Sequence, residues 1–209
     1  MTGDSRRIGR TKHLLAEEVF RHLGTAIVNG ELAPKQRIRD AEIALQLHVS
    51  RMPIREALQR LERIGLVRMY PSRYTEVTEV TERVIDESRE FAGYQAGFVA
   101  RLAAERMNAD ERADSAALVD AMTAAVDDPV RYSAARNAAF LHLSEHCGNG
   151  LQHGLLRETS MALARNLRRT TPTDLDRTAL VTLHARLRDA LLAEDPEAAE
   201  QVSRALFGV

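Results

Sequence analysis

The chain has 209 residues, of which 44% are hydrophobic and 28% charged, so it can bury a core as one large domain or two small ones. Its single cysteine, Cys147, excludes an intramolecular disulfide framework and a zinc site built from several cysteines. The net charge of −1 divides unevenly, because residues 1–78 carry a net charge of +5 and residues 79–209 a net charge of −6. This segregation predicts that only the first part of the chain meets a polyanion.

The beginning of the chain is typical of a cytoplasmic protein. It is polar and basic, and no apolar segment follows that could form the core of a secretory signal. No stretch approaches the roughly 18 apolar residues of a membrane span. We therefore expect a cytoplasmic location and no membrane partner.

Three helical patterns follow residues 1–12, which we expect to form a flexible tail. Apolar residues at helical spacing predict a first helix over 13–29. Asp40 is a favourable N-cap for a short second helix over 40–47. A tight turn then leads to Ser50, which is a favourable N-cap for a third helix.

Two short β runs follow the third helix, over 66–70 and 74–80, with a turn between them. The order helix, helix, tight turn, helix and hairpin is typical of a winged helix-turn-helix. An ordinary three-helix bundle is the alternative, and the hairpin argues against it. We therefore predict a mainly α fold, with a winged helix-turn-helix over 13–80 and an all-helical bundle domain over 81–209. The helices predicted for the second domain cover 81–107, 110–126, 129–147, 151–170, 172–193 and 196–207.

The third helix carries the strongest functional pattern. Arg51, Arg55 and Gln59 are spaced four apart, so they share one helix face. In helix-turn-helix proteins the beginning of this helix meets base edges in the major groove, where arginine can bind guanine with two hydrogen bonds. Ser50 and the helix N-terminus can hold a phosphate, and Arg73 at the hairpin tip could reach the minor groove or a phosphate. The alternative is a charged face that meets only solvent.

Three segments of this region, residues 30–34, 49–58 and 61–67, resemble the DNA-binding domain of GntR-type bacterial transcription regulators. The sequence Val-Ser-Arg-Met-Pro-Ile-Arg-Glu-Ala-Leu over 49–58 is the most specific part, and the whole match spans roughly residues 14–78. The resemblance implies DNA contacts by the serine and the two arginines that begin the third helix and by Arg73 in the wing.

The match departs from the family pattern at two positions. Tyr74 stands where the family usually has a wing glycine, and His48 stands where it often has a glycine before Val-Ser-Arg. Because a tyrosine adopts a left-handed turn poorly, we expect a wing of different shape.

The second domain resembles the effector domain of the FadR-type branch, a helical bundle in which many members bind a metal. The family's metal ligands are an aspartate, a histidine four residues later and two further histidines. Matching from Gly148-Asn149 puts Arg136 and Phe140 at the first two positions, or Asn137 and Leu141 if the register slips by one. The third and fourth positions fall on His184 and Leu206. Only His184 keeps a ligand, so we expect no metal and no other cofactor.

Two other residues have the spacing of a helical metal pair. His142 and His146 are four apart. On a helix they point away from the face that carries residues 136 and 140, so we expect no metal there either.

Several cationic and aromatic side chains of the second domain are candidates for a pocket that binds a small carboxylate effector. Each could equally be an ordinary residue of a helix. The candidates are Arg101, Arg136, Phe140, Arg165 and His184.

No pattern in the chain indicates an enzyme. There is no phosphate-binding loop, dinucleotide-binding glycine motif or nucleophile elbow, and Cys147 has no activating base nearby in sequence.

We expect a homodimeric repressor that binds a palindromic operator in double-stranded DNA, with residues 81–209 forming the dimer and holding a small-molecule effector. The alternatives are a helical protein-interaction module without an effector and a small hydrolase. Salt-dependent binding to duplex DNA separates the first hypothesis from both.

Overall fold

The computed structural model describes residues 4–71, 73–170 and 176–209, and side chains from residue 14 onward. The chain divides into two compact units, Met1–Val80 and Thr81–Val209. Among the described residues, no helix is both long and apolar enough to cross a membrane.

The first unit is a winged helix-turn-helix. Its strands form an antiparallel sheet in the order β1-β3-β2, in which Tyr70 pairs with Tyr74 beside the wing turn. The elements are α1 (Asp4–Asn29), β1 (Arg37–Ile38), α2 (Asp40–Gln46), α3 (Arg51–Arg63), β2 (Val67–Tyr70) and β3 (Tyr74–Val77). This confirms the fold class predicted for the first part of the chain.

One side of α3 forms the core of this unit. Its apolar residues, including Ile54 and Leu58, are buried, and the helix packs on α1, where Leu23 is buried. Each fully buried aliphatic side chain of this kind contributes about 1.5–3 kcal/mol relative to exposure. The core therefore fixes which side of α3 remains in solvent.

Several boundaries differ from the prediction. The helix α1 begins at Asp4 and not at residue 13, so most of the segment expected to be a tail is helical. Asp40 was expected to cap α2, but it is the first residue of that helix; Arg39 is the N-cap and makes no side-chain capping bond. The strand β1 was not predicted, because two residues are too few to show a period of two.

The two departures from the family glycines have different structural outcomes. His48, in the turn between α2 and α3, has φ of +53°, the left-handed region that favours glycine. Tyr74 is the first residue of β3 and is not among the described residues with positive φ. Tyr74 therefore adopts no left-handed turn, as expected for a tyrosine at this position, whereas the left-handed backbone lies at His48.

The second unit is all-helical, as predicted. Its helices are α4 (Glu82–Arg106), α5 (Ala109–Ala124), α6 (Pro129–His146), α7 (Gly150–Asn166), α8 (Arg177–Leu192) and α9 (Pro196–Ala205). Side chains of Thr81, Asn108, Asp128, Asn149, Asp176 and Asp195 accept backbone N–H bonds at the beginnings of these helices. Polar caps of this type stabilise a helix by about 1 kcal/mol each and explain why the chain breaks where it does. The predicted beginning of α8, at residue 172, lies outside the described residues.

The core of the second unit is built around α4, whose small residues let other helices approach closely. A Cβ atom at Gly97 would lie 2.6 Å from Cγ of Arg204 on α9. Gly93, one turn earlier, is covered by Phe207 and Val209. The residues after α9 therefore lie directly on α4, and this contact positions Phe207 beside the interior cavity described below.

Candidate nucleic-acid interface and interior cavity

The predicted reading residues lie on the solvent side of α3. Arg51, Arg55 and Gln59 are exposed, whereas Ile54 and Leu58 on the other side are buried. The amphipathic spacing of the sequence produces this separation, because burying one side of the helix leaves the stripe at residues 51, 55 and 59 in solvent. Their contact with DNA stays a prediction.

The amino end of α3 can accept an anion. Ser50 is the N-cap with extended backbone, and its side chain makes no capping hydrogen bond. The first backbone N–H groups of a helix have no intrahelical partner and carry partial positive charge. A phosphate oxygen at this end would meet those N–H groups and the serine hydroxyl together.

The two arginines of α3 have different surroundings. Arg55 donates from Nε to Oδ2 of Asp40 on α2, at 3.0 Å. Arg51 has no ion pair or side-chain hydrogen bond with any described residue. One guanidinium is therefore held in place, whereas the other is free to adapt.

A groove runs between α3 and the wing, and most of the predicted contacts line it. Arg55 and Gln59 form one wall, and Arg73 and Tyr74 form part of the other. Arg39, which was not among the predicted contacts, also lines the groove. It belongs to a run of alternating cations at positions 35, 37 and 39, and this run is the sequence signal that could have indicated it.

Aromatic packing stiffens the wing. The rings of Tyr70 and Tyr74 lie 4.7 Å apart across the strand pair, and the guanidinium of Arg37 lies 4.1 Å from the centre of the Tyr74 ring. Such stacked pairs are worth about 0.5–1.5 kcal/mol. The tyrosine at the family's glycine position therefore supports the wing in place of a glycine turn.

The second unit contains a small cavity of about 40 Å³ between α4, α6, α7 and Phe207. A water molecule needs roughly 10–15 Å³ of such space, so the cavity has room for a few small atoms. Its described walls are mostly apolar, and the polar side chains among them come from α6. The lining residues are Ala92, Ala96, Ser133, Arg136, Asn137, Phe140, Leu141, Leu156, Leu163, Ala164, Leu167 and Phe207.

Among the residues that the structure describes, Arg136 is the one cationic residue that lines this cavity, and it is 5% exposed. Its guanidinium lies 4.7 Å from the centre of the Phe207 ring and 5.4 Å from that of Tyr132. No described carboxylate forms an ion pair with it. Burial lowers the pKa of Arg136, the Tyr132 side chain opposes that shift, and the guanidinium lies against two ring faces.

His184 lies behind this arginine and is fully buried on α8. Thr123 Oγ1 lies 3.1 Å from its Nδ1, and Tyr132 Oη lies 3.2 Å from its Nε2. Burial, with the nearby charge of Arg136 as a second cause, lowers the pKa of His184 to about 4. The imidazole is therefore neutral at neutral pH, and hydroxyl groups occupy both of its nitrogens.

These contacts do not fit the metal site that the family resemblance implies. Arg136 is a cation, and Phe140 and Leu206 offer no donor atom. Both nitrogens of His184 are already engaged. Within the described ranges, no group of three histidine, cysteine, aspartate or glutamate side chains is arranged to hold a metal.

The structure brings together only part of the predicted effector set. Arg136 and Phe140 line the cavity. Arg101 does not, because it pairs with glutamates of α9 at 2.8 and 3.2 Å. Arg165 is buried on α7 and His184 on α8, and neither is part of the cavity wall. His184 contacts Tyr132, whose ring lies beside the guanidinium of Arg136.

Tyr132 is the residue that sequence reasoning missed. It is fully buried and links Arg136 to His184. It lies four residues before Arg136, as Phe140 lies four residues after it, so the three share one face of α6. That spacing was available in the sequence and could have indicated Tyr132.

The remaining candidates lie away from the cavity. His146 contacts Glu111 at 3.0 Å through Nδ1, and its ring lies 4.4 Å from that of His142. Neither histidine lines the Arg136 cavity. Cys147 is buried, and its thiol donates to the backbone oxygen of Ser144 at 3.1 Å, as expected of a small core residue.

Comparisons with curated proteins give matches to transcription regulators. The chain is 34% identical over 70 residues to the HTH-type transcriptional regulator YdhC of Bacillus subtilis (strain 168), covering 34% of this chain and 31% of that protein. It is 32% identical over 104 residues to a probable D-xylose utilization operon transcriptional repressor of Paenarthrobacter nicotinovorans, covering 50% and 45%. The matches thus span less than half the length of these relatives.

Solved structures share the fold over nearly the whole chain. E. coli McbR/YncC superposes with a TM-score of 0.70 at 20% identity, covering 92% of this chain and 93% of that one. A GntR transcriptional regulator from Rhodococcus sp. RHA1, itself described as putative, gives a TM-score of 0.66 at 24% identity, with the same coverage.

Family models account for both units. The model of bacterial regulatory proteins of the gntR family matches residues 15–77. The FCD domain model matches residues 96–208, and this second match alone covers more than half of the chain. The winged helix-turn-helix with its exposed arginine face agrees with the first match, and the all-helical unit agrees with the second. The chain therefore belongs to the gntR family of transcription regulators and combines its DNA-binding domain with an FCD effector domain.

Proposed function

We propose that the protein is a homodimeric repressor that inserts α3 of each copy into the major groove of a palindromic operator. The observation that carries this proposal is the exposed face of α3, where Arg51 and Arg55 are presented from the amino-terminal half of the helix. Two copies related by a two-fold axis would present two such helices to two half-sites. Since the partner is chromosomal DNA, we expect the protein to work in the cytoplasm.

Repression is supported by the name of one relative, the probable repressor of a D-xylose utilization operon. A bound repressor blocks transcription by occupying its operator, so affinity and site position decide the outcome. We propose that the protein acts by binding and not by catalysis. Cys147, the residue type most prone to nucleophilic chemistry, is buried among core residues.

The test is selection of duplexes from a random DNA library, followed by fluorescence anisotropy with the selected site and with random duplex. We expect the selected site to be palindromic and to bind at least about 10³-fold more tightly than random DNA, with a steep salt dependence. Arg186→Ala, which removes an exposed arginine of α8, should behave like the wild type. Failure to enrich any sequence, or equal affinity for both duplexes, would refute the proposal.

We propose that the effector is a small carboxylate bound at Arg136. The guanidinium of Arg136 lies in a mostly apolar cavity, where it contacts an aromatic ring but has no described carboxylate partner. A bound carboxylate could accept two parallel hydrogen bonds from it. The remaining walls are aliphatic and aromatic, so a short apolar chain on the carboxylate would be buried with it.

A thermal-shift series of formate, acetate and propionate, which suit a cavity of about 40 Å³, tests the effector proposal, with the uncharged amides of the same acids as controls. We expect the acids and not the amides to raise the melting temperature and to change operator affinity. Arg136→Gln should abolish both responses, whereas Arg131→Gln, on the exposed side of the same helix, should keep them. Equal responses to acids and amides would refute an anionic effector.

The homodimer is supported by an aromatic stripe on α4. Phe91, Tyr94 and Phe98 are 43%, 49% and 43% exposed and lie on one helix face. A helix that presents three large rings to solvent can bury them against the same helix of a second copy, since a two-fold contact is self-complementary. A sedimentation equilibrium experiment at micromolar concentration should give a dimer, and Tyr94→Glu should give a folded monomer. A monomeric wild type would refute the proposal.

A further inference from the structure

An acidic side chain lies on the same side of the first unit as the candidate DNA contacts. Asp40, at the beginning of α2, lines the groove together with Arg39, Arg55 and Arg73. A carboxylate in this place repels phosphate and so lowers the affinity for any DNA. This cost suggests that the carboxylate has another role that offsets it.

Capping is not that role. Asp40 is inside α2, whose N-cap is Arg39, and no capping hydrogen bond involves its side chain. Within the described part of the chain, the hydrogen-bond partner of the Asp40 side chain is Arg55, 15 positions further along, at 3.0 Å. The Asp40 side chain is 28% exposed, compared with 64% for Arg55, so the acid is the more buried partner.

The atoms that make this contact determine what Arg55 can still do. Asp40 accepts from Nε, which leaves the two terminal amino groups, Nη1 and Nη2, without a partner among the described residues. These two groups form the fork that binds O6 and N7 of guanine. Pairing at Nε thus fixes the plane of the guanidinium without occupying the edge that reads a base.

Backbone contacts hold α2 and α3 in a fixed relation across their turn. Val49 donates its N–H to the backbone oxygen of Ala44, and the side chain of Ala44 is buried beneath α2. This bond joins the end of α2 to the turn before α3, and the pair of Asp40 and Arg55 joins the two helices at the beginning of α2. Holding a side chain before binding reduces the conformational entropy lost on complex formation.

We propose that Asp40 is a positioning residue that fixes Arg55 as the base-reading arginine, whereas Arg51 adapts to the phosphate backbone. This inference rests on the proposed operator binding by α3. It assigns sequence discrimination to Arg55 and a largely sequence-independent contribution to Arg51, although both residues carry the same charge on the same helix face.

The test compares Asp40→Asn with Glu42→Gln, each of which removes one negative charge from α2. Glu42 is the matched control because it pairs with Arg39, at 2.9 Å, and not with Arg55. Glu42→Gln should leave the ratio of operator affinity to random-duplex affinity unchanged. Asp40→Asn should lower that ratio by about tenfold, mainly through weaker operator binding. Asp40→Glu should recover part of the loss, and circular dichroism should show that each variant is folded.

A double-mutant cycle identifies Arg55 as the residue through which Asp40 acts. In an Arg55→Ala background, Asp40→Asn should have no further effect on the affinity ratio, whereas in an Arg51→Ala background its effect should persist. If Asp40→Asn and Glu42→Gln raise the affinity for both duplexes equally, Asp40 is only a local charge and the inference is wrong. If Arg55→Ala itself leaves operator binding unchanged, the proposed function fails instead.

Discussion

The two units use arginine in opposite environments. On α3 of the first unit, Arg51 and Arg55 stand in solvent, whereas on α6 of the second unit Arg136 is enclosed between aromatic rings. An exposed guanidinium keeps its hydration until it meets a partner and is screened by salt. A buried one has lost its hydration on folding and gains strongly from any anion that reaches it. The difference predicts salt-dependent binding of a polyanion in one unit and salt-insensitive binding of a single small anion in the other.

The largest effect should come from removing the buried charge. Replacing a buried ion pair by apolar side chains of similar volume is often stabilising by about 1–4 kcal/mol. Arg136 has no described carboxylate partner to offset its desolvation, so Arg136→Met should raise the free energy of unfolding by an amount on this order. Urea denaturation measures the change. Arg131→Met, at an exposed position of the same helix, should stay within about 0.5 kcal/mol of the wild type. A marked loss of stability in Arg136→Met would mean that Arg136 has a buried anionic partner and that the two units do not differ in this way.

Removing either exposed arginine should affect binding and not folding. We expect Arg51→Ala and Arg55→Ala each to weaken operator binding by about 1–3 kcal/mol, with no change in melting temperature, and to lower the salt slope by about one unit where a phosphate contact is lost. Anisotropy titrations at several salt concentrations give both quantities. Wild-type operator affinity in both variants would contradict the assignment of α3 as the recognition helix.

The neutral state of His184 should appear in the pH dependence of stability. Its pKa is about 4 in the folded protein and near its usual value of 6.5 in the unfolded chain. Between these values only the unfolded chain binds the proton, so the free energy of unfolding should fall as the pH drops from 6.5 towards 4, by on the order of 2 kcal/mol.

The His184→Gln variant isolates this contribution from that of other titrating groups. Its amide keeps a donor and an acceptor for Thr123 and Tyr132 but does not titrate. The difference in unfolding free energy between wild type and variant should therefore change over this pH window. A constant difference would mean that the pKa of His184 is the same in the folded protein as in the unfolded chain.

A smaller effect is expected at the turn that leads into α3. His48 has φ of +53°, which favours glycine, so His48→Gly should stabilise the protein by about 0.5–1 kcal/mol. Operator affinity should stay unchanged, because the arginine face begins after the turn. Thermal unfolding and anisotropy on the same samples check both statements; a loss of stability would show that the imidazole makes a contribution larger than the backbone strain.

The smallest expected effect is that of a chelator. Since the matched positions provide one histidine with both nitrogens engaged, EDTA should not lower the melting temperature, and elemental analysis should find no stoichiometric zinc, nickel or manganese. A near-equimolar metal that is lost in His184→Ala would contradict this expectation.

The sequence predicted the first unit better than the cavity of the second, for a physical reason. The face of α3 follows from local spacing and turn chemistry, so Arg51 and Arg55 could be selected without knowing any tertiary contact. The cavity depends on which helices meet. Arg101 and Arg136 look equivalent in sequence, but one pairs with Glu197 on α9 and the other is enclosed. The strand β1 was missed for a similar reason, because only its pairing with β3 defines it.

The buried thiol of Cys147 makes the protein well suited to site-specific spectroscopy. Because this is the single cysteine of the chain and its side chain is fully enclosed, maleimide dyes and nitroxide labels should react with an introduced cysteine in preference to it. A cysteine placed at the exposed position of Arg186 would then carry one label per chain without a cysteine-free background having to be made first. In a dimer, two such labels report a single distance between the copies, and that distance can be followed as DNA or a carboxylate is added.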